Sequence, residues 1–204
     1  MKRVRIHFIF LVALIWSSAL LANEPGKDFL ITLDGSKLTG VIKTITIKQK
    51  KTQISFENDF GSRYIVDAST IFGFAFQEQG EISLFESKFL NGEWQFLRVE
   101  TRGNAVSLYT SSERQLQFVG SDETPIVVQE QKSPQIWLQF EGEQPFRVYR
   151  FNFRGVLRKR MKSHPELAKR IGKRGFRYKN LSMIVESYNR YHKENDEDIT
   201  SKQG

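Results

Sequence analysis

Apolar positions in the first half of the chain recur every second residue, the period of a strand with one buried face. Phe29, Ile31 and Leu33 alternate with other residues, Asp34-Gly35 supplies a tight turn, and GVIKTITI continues in β-branched residues, so a hairpin is predicted. KQKKT interrupts the run. TQISFE follows with Ile54 and Phe56 on one face; ENDFGS turns, RYIV is a short strand and DAST a single helical turn. In IFGFAFQ, Phe72, Phe74 and Phe76 share a face opposite Gly73 and Ala75, and QEQGE leads into ISLFES. Closely spaced short strands of this kind predict a small SH3-like barrel over residues 23–80. Residues 81–150 then read as an antiparallel meander: WQFLRVE, NAVSLYT, RQLQFVG, PIVVQEQ, QIWLQFE and FRVYRF, with a turn at Arg102-Gly103-Asn104.

The period changes in the tail. Phe153, Val156, Leu157 and Met161 make a helical stripe. Ser163 and Glu166 have the spacing of a capping box, with Pro165 in the first turn, Leu167, Ala168 and Ile171 as the buried side, and Gly172 as the stop. After a basic loop, Asn180 is placed to cap a last helix that buries Leu181, Ile184, Val185, Tyr188 and Tyr191. Residues 151–194 are therefore a basic helical segment and 195–204 a disordered polar tail. The expected class is mainly β (α+β): a small barrel, a meander and a C-terminal helical segment.

The N-terminus changes the setting. Residues 1–22 join a short basic stretch, the apolar run Phe8–Trp16 and small residues, the layout of a signal peptide cut after Ala22 or after Ala19. The apolar run is too short to span a bilayer comfortably. Export to the periplasm or to the outer membrane is the expectation, and 182 residues remain after a cut at Ala22. There is no cysteine, so neither disulfides nor a lipid-modified N-terminal cysteine contributes.

Charge is unevenly spread. From Asn23 to Phe146 the chain has 12 basic and 17 acidic residues; from Arg147 to Lys193 it has 15 basic and 2 acidic. Such asymmetry points to an anionic partner or to an internal match between the two parts.

Several stretches together resemble a broad group of exported, signal-peptide-bearing, β-rich proteins of Bacteroidota-type bacteria. These are FLRVETRGNAVSLY (Phe96–Tyr109), YRFNFRGVLRKRMKSHPELAKRI and LSMIVESYNRY, with Gly40-Val41-Ile42, Ile71-Phe72-Gly73-Phe74 and Tyr188-Asn189 at matching places. Many of that group have a cysteine in the helical part before the proline; this chain reads Ser163-His164-Pro165. The resemblance implies export and this layout, and carries no activity or catalytic residues.

Signatures of chemistry are few. HExxH, GxSxG, SxxK and phosphate-cradling glycine loops are missing from the sequence, and His164 and His192 read as surface histidines. No catalytic residue, metal or cofactor is expected. Two carboxylates brought together by folding would be enough for a glycosidase, so a small envelope hydrolase stays open. The aromatics Phe72, Phe74, Phe76, Trp94 and Trp137 read as core before sugar platform. The candidate binding residues are the cations of the tail: Arg154, Arg158, Lys159, Arg160, Lys162, Lys169, Arg170, Lys173, Arg174, Arg177 and Lys179. They suit an anionic membrane surface, lipopolysaccharide phosphates or an acidic envelope protein. A nucleic acid fits the charge, but the export signal disfavours it. Nothing in the sequence sets the oligomeric state.

Overall fold

The chain turns back on itself at Gly35, whose φ of 84° is one that L side chains rarely adopt. Thr32 and Ser36 close the turn through Thr32 N–H to the Ser36 carbonyl at 2.9 Å. This joins β1 (Asp28–Ile31) to β2 (Lys37–Lys48) in the predicted hairpin. The computed structural model describes residues 28–48, 51–78, 81–111, 117–121, 124–128 and 134–201. The expected leader, 1–22, lies outside the described residues.

The strands that follow are β3 (Lys51–Asn58), β4 (Arg63–Asp67), β5 (Gly73–Glu78), β6 (Glu81–Leu90), β7 (Glu93–Thr101), β8 (Val106–Ser111), β9 (Gln117–Ser121), β10 (Thr124–Val128), β11 (Gln135–Phe140) and β12 (Phe146–Val148). Ten of them make one antiparallel sheet in the order β12-β11-β8-β7-β6-β5-β1-β2-β3-β4. The protein is mainly β with a helical C-terminal part, as the hydrophobic periods predict. Two finer expectations change. The first unit has the order β5-β1-β2-β3-β4, but it stays an open array: among the described residues β4 pairs only with β3, and the outer edge of β5 is taken by β6. β5 and β6, on either side of the expected boundary between residues 80 and 81, pair as neighbours in this sheet. The meander also skips a step. RQLQFVG and PIVVQEQ contribute β9 and β10, a separate two-stranded hairpin, while β8 pairs directly with β11.

The pairing of β2 with β3 shifts register between Ile42 and Thr44, where an extra residue in one strand breaks the ladder. Leu30, Ile45, Ile54, Phe56, Ile71, Phe74, Phe76 and Phe85 form one core cluster, with Phe96 of β7 packed against it. The Phe74 and Phe85 rings lie parallel at 4.8 Å, and Phe96 meets Phe74 edge-on at 4.9 Å. The predicted face of Ile54 and Phe56 is therefore core. That of β1 is inverted: Leu30 is buried, while Leu33 is exposed and Phe29 is only half-buried beneath the Lys37 ammonium, 4.0 Å from its ring. Phe72 also departs from its stripe. Its backbone bonds Ile31 and Ser87 at a bend before β5, and its ring is left partly exposed.

The far end of the sheet carries the helices: α1 (Phe153–Arg160), α2 (Pro165–Arg170), a 3₁₀ turn at Tyr178–Asn180, and α3 (Leu181–Ser201). Phe153, Leu157, Met161, Leu167, Ile171, Leu181, Ile184, Val185 and Tyr188 pack on Val106, Leu108, Leu138, Phe140 and Val148. The helical stripes read from the sequence are these faces. The tail expected to be disordered from residue 195 instead continues α3 through Ser201, because extending an existing helix needs no new nucleus.

One polar residue joins this cap to the sheet. Between β7 and β8 the chain leaves the ladder, and the Asn189 side chain fills the place of a neighbouring strand. Its Oδ1 accepts from Val106 N–H at 2.9 Å, and its Nδ2 donates to the Val106 carbonyl at 2.8 Å. Gly103 lies against that amide, where a Cβ would overlap it.

Candidate anion-binding surface on the helical cap

With Phe153, Leu157 and Met161 turned into the sheet, the intervening cations of α1 must face outward. Arg154 lies against the turn at Gly172, whose φ of 91° ends α2 as predicted. Arg158 donates to the Ile171 carbonyl at 2.8 Å, satisfying an acceptor at the end of α2. Arg160 is hydrogen-bonded to Glu143 and lies 5.1 Å from the Phe146 ring centroid. Lys169 reaches Glu166 at 2.8 Å, and that hydrogen bond holds the Glu166 carboxyl below its usual range. Arg170 stacks over Phe176 at 3.9 Å. Lys159, Lys162, Lys173, Arg174, Arg177 and Lys179 are exposed and have no acidic partner among the described residues. Of the eleven cations expected to bind, only Arg160 and Lys169 face a carboxylate among the described residues, and only Arg160 takes one from outside the helical cap, from Glu143 in the β11–β12 turn. Among the described residues, the internal match that charge asymmetry allowed is thus largely unmade.

The basic loop after α2 has a defined shape. Gly172 N–H bonds the Phe176 carbonyl at 2.7 Å, Phe176 N–H bonds the Lys173 carbonyl at 3.0 Å, and Asn180 Nδ2 donates to the Gly175 carbonyl at 2.7 Å. Asn180 is thereby drawn away from the capping role expected of it. Tyr178 fastens the loop to the sheet through its hydroxyl, 3.1 Å from the Val148 carbonyl, and packs edge-on against Phe153 at 5.7 Å. Burial pushes the Tyr178 phenol above its ordinary pKa, with Arg147 pulling the other way. These contacts hold the basic loop, with Lys173, Arg174, Arg177 and Lys179, against α1 at Arg154 and against β12, which carries Arg147.

The β12–α1 turn adds an exposed aromatic pair that sequence reasoning did not single out. Tyr149 and Phe151 stack at 5.3 Å, and the Arg147 guanidinium lies 4.6 Å from the Tyr149 ring. The signal was present in RVYRFNFR: Phe151 fits neither the stripe of α1 nor the alternation of β12.

The histidines do not stand as separate surface residues. His164 stacks on Tyr191 at 4.0 Å, and His192 lies 4.5 Å from the Tyr188 ring. Ser163 joins them, with its Oγ 2.9 Å from the Tyr188 hydroxyl and 3.4 Å from His192 Nε2. Its carbonyl accepts from Tyr191 at 3.0 Å. The predicted capping box is therefore not formed: His164 is the N-cap of α2 and makes no side-chain cap bond, because Ser163 is engaged with α3. This cluster fastens the α1–α2 turn to α3. Among the described residues no carboxylate orients His192, and no group of three or more metal-ligating side chains assembles.

A second charged cluster lies within the sheet. Glu86, 3% exposed, accepts from Tyr109 at 2.9 Å and faces Lys88 at 2.8 Å and Arg102. Every group in it is partnered, which is the arrangement of a structural site. Trp137 is buried beside Tyr109, whereas Trp94 pairs with Phe89 on the surface at 5.5 Å. Among the described residues no helix is long and apolar enough to cross a membrane. No protein-family model, curated protein or solved structure matches the chain.

Proposed function

We propose that the chain is an exported module of a bacterial cell envelope that performs no chemistry itself and binds an anionic component through the outer face of its helical cap. One observation carries this reading: the apolar sides of the helices are occupied by the sheet, while nine of the eleven tail cations face no carboxylate among the described residues. Exposed cations held on a folded surface contribute about 1 kcal/mol each near an anionic membrane, within about a Debye length. Three or four acting together are enough for salt-sensitive attachment. The leader-like N-terminus supports delivery to the envelope.

The test is co-sedimentation with anionic vesicles and with lipopolysaccharide, at low and at high salt. Binding is expected at low salt and should fall steeply as salt rises. Reversing Lys159, Lys162, Lys173 and Arg174 to glutamate should remove it at an unchanged melting temperature, because all four are exposed and none has an acidic partner among the described residues. Turnover on a glycan or peptide library, lost on changing a single acid, would instead favour the hydrolase. Retention of DNA with indifference to both envelope probes would favour a nucleic-acid binder.

A further inference from the structure

We infer that Phe151 and Tyr149 form an interfacial anchor that enters the headgroup layer of a bilayer containing anionic phospholipid, while the cations around them meet the phosphates. The inference rests on the proposed reading of the cap and names its partner as a lipid surface.

Phe151 is 85% exposed, and a single exposed apolar residue is ordinary. Three features set this one apart. It is doubled: the Tyr149 ring stacks on it at 5.3 Å, tilted by 23°, so the two project as one apolar body with a hydroxyl. It is held in place: Tyr149 N–H bonds Asn152 Oδ1 at 2.9 Å, and Asn152 and Phe153 N–H return to the Tyr149 carbonyl at 3.1 and 3.0 Å. It is also flanked by cations. Arg147 covers Tyr149, Arg150 lies between the two aromatics in sequence, and Arg154 follows on α1 beside the basic loop at Gly172. Phe60 makes the contrast. It is 89% exposed but lies at the opposite edge of the sheet, next to Asp59, where Arg63 is neutralised by Glu57.

An aromatic tip beside exposed cations of the tail has the chemistry of the membrane interface, where rings lie at headgroup level and cations bind the anionic surface. Single-stranded nucleic acid would ask for a groove that tracks a backbone past successive stacking rings. One projecting pair, already stacked on itself, offers a wedge instead.

The test uses the chain expressed with its own leader and purified as the cell processes it, with vesicles of three parts zwitterionic to one part anionic phospholipid. Phe151→Ser is expected to weaken binding about tenfold or more, the scale of exposing one buried phenylalanine, without changing the salt slope. Phe151→Trp in a Trp94→Phe background should bind like the parent. Its emission should shift to the blue on vesicles and be quenched by lipids brominated high in the acyl chain. If Phe151→Ser binds like the parent while reversal of Lys159, Lys162, Lys173 and Arg174 still abolishes binding, the anchor is wrong and the cap reading survives. If the parent ignores anionic vesicles and lipopolysaccharide alike, both fall. Quenching of the Phe151→Trp emission by short single-stranded DNA, with none by vesicles, would reassign the pair to base stacking.

Discussion

Replacing Glu86 with alanine is expected to lower the stability of the protein by about 3–5 kcal/mol, the cost of removing one member of a buried ion pair. Glu86 is the acceptor for three donors: the Tyr109 hydroxyl, the Lys88 ammonium and the Arg102 guanidinium. They are unequally placed. The Lys88 side chain is 14% exposed and would be left with only the Tyr109 ring, 4.8 Å from its ammonium, whereas that of Arg102 is 56% exposed and would turn to water. Tyr109 retains a second contact with Gln139 at 3.3 Å. The loss should therefore come mainly from Lys88. Arg102→Ala should cost about 1 kcal/mol or less, as exposed pairs do. Glu86→Leu combined with Lys88→Met should recover most of the deficit, because an apolar pair of similar size leaves no orphan charge. Urea unfolding of the variants measures all of this. An alanine variant within about 1 kcal/mol of the parent would show that water replaces the carboxylate at this position.

Asn189→Ala is expected to cost about 2–4 kcal/mol. It strips partners from the N–H and the carbonyl of Val106, a fully buried residue whose neighbouring strand has already turned away. The cap should loosen first. Hydrogen exchange at β8 and α3 should accelerate before exchange in β2 and β3, where a separate core cluster holds the sheet. Gly103→Ala should be similarly damaging, because the new methyl would fall on an amide fixed by two bonds. The paired variant supplies the decisive comparison: with Asn189 already shortened, the added methyl has room, so the two losses should sum to clearly less than their separate values. Strict additivity would mean that Gly103 is needed for its backbone conformation alone.

How much of this was legible depends on how far apart the partners lie. Ile54 and Phe56, or Phe153, Leu157 and Met161, announce themselves because one local period decides their burial. Leu30 was misplaced by one residue. In a strand flanked on both sides by others, the faces are distinguished by what packs over them, and a slip of one exchanges the two. The alternation in ISLFES misleads similarly, since Phe85, Glu86 and Ser87 are all buried. The role of Glu86 depends on Arg102 and Tyr109, 16 and 23 positions away, as well as on its strand neighbour Lys88, and that of Asn189 on a backbone 83 positions away, so neither is announced by a local period. The cations of the tail were legible as a set. Which of them carry a carboxylate was not, because Glu143 comes from the β11–β12 turn. Ser163 and Glu166 had the spacing of a cap, but the pull of Tyr188 and His192 on the serine acts through folding alone.

The sealing of the helices onto β8, β11 and β12 bears on the kinetics of any encounter at the outer face. A disordered basic tail would have to surrender backbone freedom on capture, and its affinity would fall short of its charge by that amount. Here folding has already met that cost, so association should need no rearrangement and its rate should be governed by long-range steering.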